Sequence, residues 1–148
     1  MASVKQEQTV DFHIRRTWHK IMRLYNYEAA KYEATMPMAY TLLNIDLDNG
    51  TPSTSLGPQM GMESRSLTRI LKKMEEEGVI KRAADKNDKR VTRICLTKKG
   101  IEKRDQSRLA VIRLNDVIQS DLTKKERTDF FNIMNKINNS IKSKHIFD

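Results

Sequence analysis

The sequence predicts a mainly α-helical protein with a small β-hairpin, arranged as a winged helix-turn-helix flanked by long N- and C-terminal helices. Three observations predict this fold. Apolar residues recur at three- and four-residue steps in long segments near both ends of the chain. Residues 63–77 form a shorter, strongly amphipathic segment. Directly after it, residues 79–84 and 91–97 alternate like two antiparallel strands around a charged turn.

The first two helices are separated by a proline. Residues 9–34 predict one long helix, because Val10, Ile14, Trp18, Ile21 and Tyr25 recur on one face. Pro37 breaks or restarts this helix, and residues 37–47 predict a short, buried second helix.

Residues 53–60 predict a third, short helix that Ser53 or Thr54 would cap. Gly57 and Pro58 argue against a regular helix here. The conflict disappears if the helix begins late and Pro58 lies in its first turn.

The remaining elements have clear boundaries. Leu67, Ile70, Leu71 and Met74 form the apolar stripe of the helix at 63–77, and Gly78 ends it. Residues 85–90 are the tip of the hairpin, and residues 98–119 predict another long helix. Thr123 and Glu126 have the spacing of a capping box for a last helix.

The charge is concentrated in the middle of the chain. The 148 residues carry a net charge of +9, and residues 61–110 hold fifteen Lys and Arg against eight Asp and Glu. A concentrated basic region indicates a polyanionic partner, nucleic acid first, although a solvated basic surface has the same composition. No apolar run is long enough to cross a bilayer, so no membrane partner is expected. The single cysteine, Cys95, and the lack of a signal peptide predict a cytoplasmic protein.

The helix at 63–77 has the side chains of a DNA-reading helix. Short hydroxyls and long cations suit base edges and phosphates in a major groove. They lie on the face opposite the apolar stripe: Ser64, Arg65, Ser66, Thr68, Arg69 and Lys72. Glu75, Glu76 and Glu77 oppose the helix macrodipole, which an ordinary surface helix tends to avoid.

The hairpin tip predicts a wing that contacts DNA. Arg90 is the candidate cation for the minor groove. Asp88 can accept hydrogen bonds from the turn backbone and from the Arg90 guanidinium, and so hold one rotamer. Lys86 and Lys89 would contact phosphates, as would Lys72 and Lys73. A mobile charged loop is the alternative interpretation of the tip alone.

Three segments resemble the multiple-antibiotic-resistance regulator (MarR) family of winged-helix repressors: "EEEGVI", "NDKR" and "LTKKG". The resemblance covers roughly residues 53–100, and the flanking helices match that family in order and length. It implies one MarR-like domain over 1–148, with a DNA-binding lobe at 36–97 and dimerisation helices at 9–34 and 98–143. It implies a homodimer on a pseudo-palindromic, double-stranded DNA operator. The candidate dimer residues are Val10, Ile14, Phe130, Met134, Ile137 and Ile141.

The resemblance also implies a small aromatic or phenolic effector. Candidate pocket residues are Trp18, Tyr25, Met38 and Tyr40, although ordinary core packing explains their spacing better. His13, His19 and His145 lack a ligand spacing, so no metal is expected, and Cys95 is expected to be an inert thiol. The sequence shows no phosphate loop and no nucleophile–base arrangement, which predicts a non-enzyme without a cofactor.

The sequence therefore predicts a sequence-specific transcriptional regulator, most simply a ligand-responsive repressor. Two alternatives stay open: an architectural winged-helix protein that binds DNA without sequence preference, and a winged-helix protein–protein adaptor.

Overall fold

The computed structural model describes residues 5–142 and residue 146. After a short 3₁₀ turn at Gln6–Gln8, the elements in chain order are α1 (Val10–Ala30), α2 (Met36–Leu43), β1 (Thr51–Pro52), α3 (Ser53–Met60), α4 (Ser64–Glu76), β2 (Ile80–Ala84), β3 (Thr92–Leu96), α5 (Lys98–Ser120) and α6 (Lys124–Ile141). The chain divides into two compact units, Met1–Ala110 and Val111–Asp148. The predicted mainly α-helical fold with a hairpin is confirmed.

The first helix is shorter than predicted, because a tight turn ends it at Ala30. Glu33 has a φ of 56°, and Ala34 N–H donates to the Ala29 carbonyl. Thr35 then caps α2, accepting a hydrogen bond from Met38 N–H. The apolar pattern in the sequence continues to Tyr32, beyond the end of the helix, because Tyr32 also packs against the rest of the protein. Its hydroxyl lies 3.1 Å from Ser107 Oγ on α5.

The core of the first unit is built from α2, α3, α4 and the sheet. α2 is buried as predicted, and α4 contributes three side chains spaced four and three residues apart. The buried cluster comprises Met38, Leu42, Ile45, Leu56, Leu67, Leu71, Met74, Val79, Ile80 and Ile94. Burial of each such side chain stabilises the fold by roughly 1.5–3 kcal/mol.

The predicted helix over residues 53–60 is confirmed, but its predicted cap by Ser53 or Thr54 is wrong. The helix begins at Ser53, its N-cap is Pro52 without a side-chain hydrogen bond, and Pro58 lies inside it. Pro58 lacks the N–H that would donate to the Thr54 carbonyl. Thr54 is exposed, so water can donate a hydrogen bond to this carbonyl instead. Gly57 is buried on the inner face, where an added Cβ would lie 3.3 Å from the Met62 carbonyl oxygen.

The hairpin has the predicted antiparallel pairing, and it carries a third strand. Ile80 pairs with Leu96 and Ala84 with Thr92. β1 pairs with the other edge of β3, opposing Thr51 to Ile94, so the strand order is β1-β3-β2. β1 was not predicted, because two residues are too few to show alternation.

The second unit contains α6 and its N-terminal cap. Thr123 Oγ1 accepts from Glu126 N–H, and Glu126 Oε2 accepts from Thr123 N–H at 2.7 Å. The predicted capping box is therefore confirmed. Among the described residues, no helix has the length and apolar character that a membrane crossing requires.

Candidate nucleic-acid interface

The core fixes the orientation of α4, so that its outer face is turned to solvent. Leu67, Leu71 and Met74 are buried on the inner face. The predicted contact residues Ser64, Arg65, Ser66, Thr68, Arg69 and Lys72 are all exposed. Thr68 Oγ1 donates to the Ser64 carbonyl at 2.8 Å, which fixes its rotamer and leaves its oxygen able to accept. The face therefore combines donors and acceptors at positions fixed by packing.

Two of the three glutamates at the end of α4 have structural partners. Glu75 pairs with Arg82 on β2 at 3.0 Å, and Glu77 lies 3.8 Å from Lys73. These cations offset the unfavourable interaction with the macrodipole. Glu75 and Glu77 therefore have an explanation inside the fold and give no independent support for DNA recognition.

The segments "EEEGVI" and "LTKKG" contact each other where α4 ends and α5 begins. Gly78 N–H bonds to the Glu75 carbonyl and Val79 N–H to the Met74 carbonyl, which is a Schellman motif with Gly78 at φ 71°. The start of α5 packs against this turn: Thr97 N–H donates to the Val79 carbonyl at 3.1 Å and Thr97 Oγ1 donates to the Gly78 carbonyl at 2.6 Å. "EEEGVI" and "LTKKG" thus fix where α4 ends relative to the start of α5.

Gly100 lets the two sides approach. A Cβ at this position would lie 1.9 Å from the Val79 carbonyl oxygen, a distance that no side chain tolerates. Lys99 Nζ donates to the Glu77 carbonyl at 3.0 Å beside it. The position therefore needs glycine for space rather than for backbone conformation.

The wing tip contains the predicted Asp88–Arg90 pair. Arg90 Nε and Nη2 donate to the two oxygens of Asp88, each at 3.0 Å, and Arg90 N–H donates to Asp88 Oδ1 at 3.0 Å. The Arg90 guanidinium is the main cause of the lowered pKa of Asp88, and the same bond raises the pKa of Arg90. The hydrogen bonds to Asp88 orient the Arg90 guanidinium. Because the Arg90 side chain is 90% exposed, it remains accessible to a partner. Lys86 and Lys89 are exposed at the same tip.

A second carboxylate, which the sequence did not identify as important, shapes the base of the wing. Asp85 Oδ1 accepts from the N–H groups of Asn87 and Asp88, and Asp85 Oδ2 pairs with Arg93 Nε. The hydrogen bond from Arg93, followed by the two backbone bonds, lowers the pKa of Asp85 to about 2. Arg93 Nη1 also donates to the Gly50 carbonyl at 3.2 Å, which ties the wing to the loop before β1. The turn at the tip is therefore held by hydrogen bonds within the wing and to the loop before β1.

The candidate effector residues occupy different environments. Met38 is part of the buried core, and Tyr25 is half-buried, which raises its pKa. Trp18 and Tyr40 are 48% and 44% exposed. The core interpretation therefore fits Met38 but not Trp18 or Tyr40.

The candidate dimer residues are largely uncovered. Val10 and Ile14 are exposed on α1, as are Phe130 and Ile141 on α6, while Met134 and Ile137 are half-buried. α6 contributes no fully buried residue to its unit. Its apolar face is thus available to a partner.

The metal and thiol predictions concern scattered residues. Within residues 5–142, no three His, Cys, Asp or Glu side chains gather where they could hold a metal ion. His13 Nε2 lies 2.8 Å from the Glu7 carbonyl, and Cys95 is a half-buried free thiol. His145 and residue 143, the predicted end of the C-terminal region, lie outside the described residues.

The fold and the site together define a winged helix-turn-helix protein. A protein-family model described as the MarR family matches residues 35–92, which run from the residue before α2 to the first residue of β3. The chain is 31% identical over 85 residues to the HTH-type transcriptional regulator SarZ of Staphylococcus haemolyticus, a match that covers 57% of this chain and 58% of that protein. It spans about half the length of the curated relatives it matches first. Over residues 35–92 the chain is therefore similar to the MarR family.

Two solved structures have the same fold. The S. aureus MepR–DNA complex superposes with a TM-score of 0.82 at 18% identity, covering 89% of this chain and 98% of that one. The PcaV transcriptional regulator of Streptomyces coelicolor, in complex with its natural ligand, gives a TM-score of 0.79 at 20% identity and covers 95% and 99% of the two chains.

Proposed function

We propose that this chain is a sequence-specific, DNA-binding transcriptional regulator that acts as a homodimer and as a ligand-responsive repressor. The observation that carries the proposal is the outer face of α4, where arginines and hydroxyls are exposed on a helix whose inner face is anchored in the core. The MepR–DNA complex, which shares the fold, supports the same class of partner.

In this proposal α4 reads bases and the lysines set affinity. Arg65 and Arg69 have the planar donor forks that recognise guanine, and the hydroxyls of Ser64, Ser66 and Thr68 can contact either base of a pair. Lys72, Lys73, Lys86 and Lys89 contact phosphates, which positions the protein without specifying sequence. Arg90 enters the minor groove, already oriented by Asp88.

Dimerisation would supply the second half of the site. The uncovered apolar residues of α1 and α6 would pack against a second copy, and a two-fold dimer places like surfaces together. Two copies of α4 would then enter successive major grooves about 34–36 Å apart on a pseudo-palindromic operator.

A small-molecule effector would act on this dimer. The complex of PcaV with its natural ligand supports effector binding in this fold. Trp18 and Tyr40, which are about half exposed, are the candidate contacts for an aromatic or phenolic ligand, together with the half-buried Tyr25 and the buried Met38. Acting on chromosomal DNA, the protein would work in the cytoplasm.

The division between base and phosphate contacts can be tested with two variants. Arg65→Ala should reduce the preference for operator over scrambled duplex by roughly tenfold or more, whereas Lys86→Ala should weaken binding to both duplexes about equally. Lys124→Ala, an exposed change on α6, is the control. If Arg65→Ala weakens both duplexes equally and leaves the preference intact, α4 does not read bases in the proposed way.

A further inference from the structure

The side of α1 that faces away from its apolar stripe carries a row of basic side chains. Positions that recur every three or four residues lie on one helix face. The row consists of Arg15, Arg16, His19, Lys20 and Arg23, and we call it the α1 basic face. All five side chains are exposed, and the sequence has no Asp or Glu between residues 12 and 27.

These basic side chains have no carboxylate partners in the part of the chain that the structure describes. None of the ion pairs there includes a residue of the α1 basic face. Arg16 instead lies over the Phe12 ring, 5.9 Å from its centroid. Arg16 and Lys20 are four residues apart and Lys20 and Arg23 three apart, so like charges repel along the helix. An ordinary solvated face gains by interspersing acidic residues, and this face does not.

The composition of the row favours nucleic acid over a protein partner. The centre of a protein–protein interface is depleted of charged residues and enriched in apolar and aromatic ones. Protein–DNA interfaces are more polar and much more positive. Here the aromatic rings of Phe12 and Tyr27 stand beyond the two ends of a run of basic side chains about 12 Å long from Arg15 to Arg23. The arginine forks suit phosphate oxygens.

We infer that the α1 basic face is a second DNA-contact surface, which binds the phosphate backbone of duplex DNA without reading its sequence. This surface would add to the contacts of α4 and the wing. The inference rests on the proposed DNA-binding function. Its contribution is electrostatic, so it appears as salt dependence rather than as sequence preference.

The test measures affinity for a random-sequence duplex across a series of salt concentrations. The variant is R15Q/K20Q/R23Q, in which glutamine preserves helix propensity. Losing three phosphate contacts should lower the slope of log affinity against log salt by about 2.7 for each bound chain. For each bound chain, the wild type should therefore lose about 40-fold more affinity than the variant between 50 and 200 mM salt.

Two matched variants separate local contact from net charge. K124Q/K125Q/K136Q removes the same number of charges from exposed positions of α6 and should keep the wild-type slope. R15K/R23K keeps the charge on α1 and should also keep it. Circular dichroism and sedimentation would verify that each variant is folded and has the wild-type oligomeric state.

Each contrary outcome is distinct. An unchanged slope for R15Q/K20Q/R23Q overturns this inference but not the proposed function. The same holds if K124Q/K125Q/K136Q lowers the slope as much as R15Q/K20Q/R23Q does. If R15Q/K20Q/R23Q keeps its DNA slope but loses binding to polyglutamate, the face binds an acidic protein instead. If the wild type binds no duplex at 50 mM salt, the proposed function fails together with this inference.

Discussion

Gly100→Ala is expected to destabilise the protein, although alanine is the better helix former. Inside α5 the substitution would gain up to about 1 kcal/mol from helix propensity alone. The new Cβ would lie 1.9 Å from the Val79 carbonyl oxygen, so the start of α5 must move away by roughly 1 Å. Forcing atoms into a packed contact costs about 1–3 kcal/mol. The two Thr97 hydrogen bonds to Gly78 and Val79 would weaken as well, at about 1 kcal/mol each.

The expected net loss is about 2–4 kcal/mol in the free energy of unfolding. Urea unfolding at fixed protein concentration measures it, since the stability of a dimer depends on concentration. Gly61→Ala is the control: its φ is 61°, and an added Cβ would meet no atom within 4 Å, so only the backbone cost of about 1 kcal/mol applies. A Gly100→Ala protein as stable as the wild type, or more so, would refute the close packing of α5 on the end of α4.

Three further predictions concern the wing and the dimer. Arg90→Ala should weaken operator binding roughly tenfold or more without changing the oligomeric state; unchanged affinity in a fluorescence-anisotropy titration would contradict the minor-groove role. Phe130→Asp or Ile137→Asp should give a folded monomer by sedimentation, because a charge cannot be buried in the apolar interface; a folded dimer would exclude α6 as that interface. The lowered pKa of Asp85 means that its stabilising contribution is complete above the ordinary value of about 3.9 and is lost as the pH falls through about 2. The amide NMR signals of its backbone donors should therefore stay constant from pH 7 to about 4 and shift only below it, with no such transition in Asp85→Asn; a midpoint near 4 would contradict the Arg93 pairing.

Local chemistry made most of the fold predictable. The Thr123–Glu126 capping box, the α4 stripe and the alternating strands depend on neighbours within a few residues, and all three appear as predicted. The Asp88–Arg90 pair was likewise predictable, since its members are two residues apart. The predicted end of α1 was wrong because the apolar pattern continues into the turn after the helix, where Tyr32 is hydrogen-bonded to Ser107 on α5.

The missed features depend on distant pairs. Arg93 bonds to the Gly50 carbonyl 43 residues away, and β1 exists only because β3 is beside it. The glutamates at the end of α4 suggested a DNA-reading helix, yet Glu75 has a partner seven residues along the chain on β2. Pairings across the fold leave no periodic signal in one sequence, and so only the structure assigns them.

The central claim is that this chain recognises a particular DNA sequence. Its most direct test is fluorescence anisotropy with a duplex from the protein's own upstream region and a scrambled duplex of equal length, at two salt concentrations. The account predicts a preference of about 10³-fold or more for a duplex that contains the operator. Equal, steeply salt-dependent affinity for both duplexes, with a scan of further genomic duplexes finding no preferred one, would contradict it in favour of an architectural protein. Absence of binding to either duplex at low salt would indicate a protein–protein adaptor.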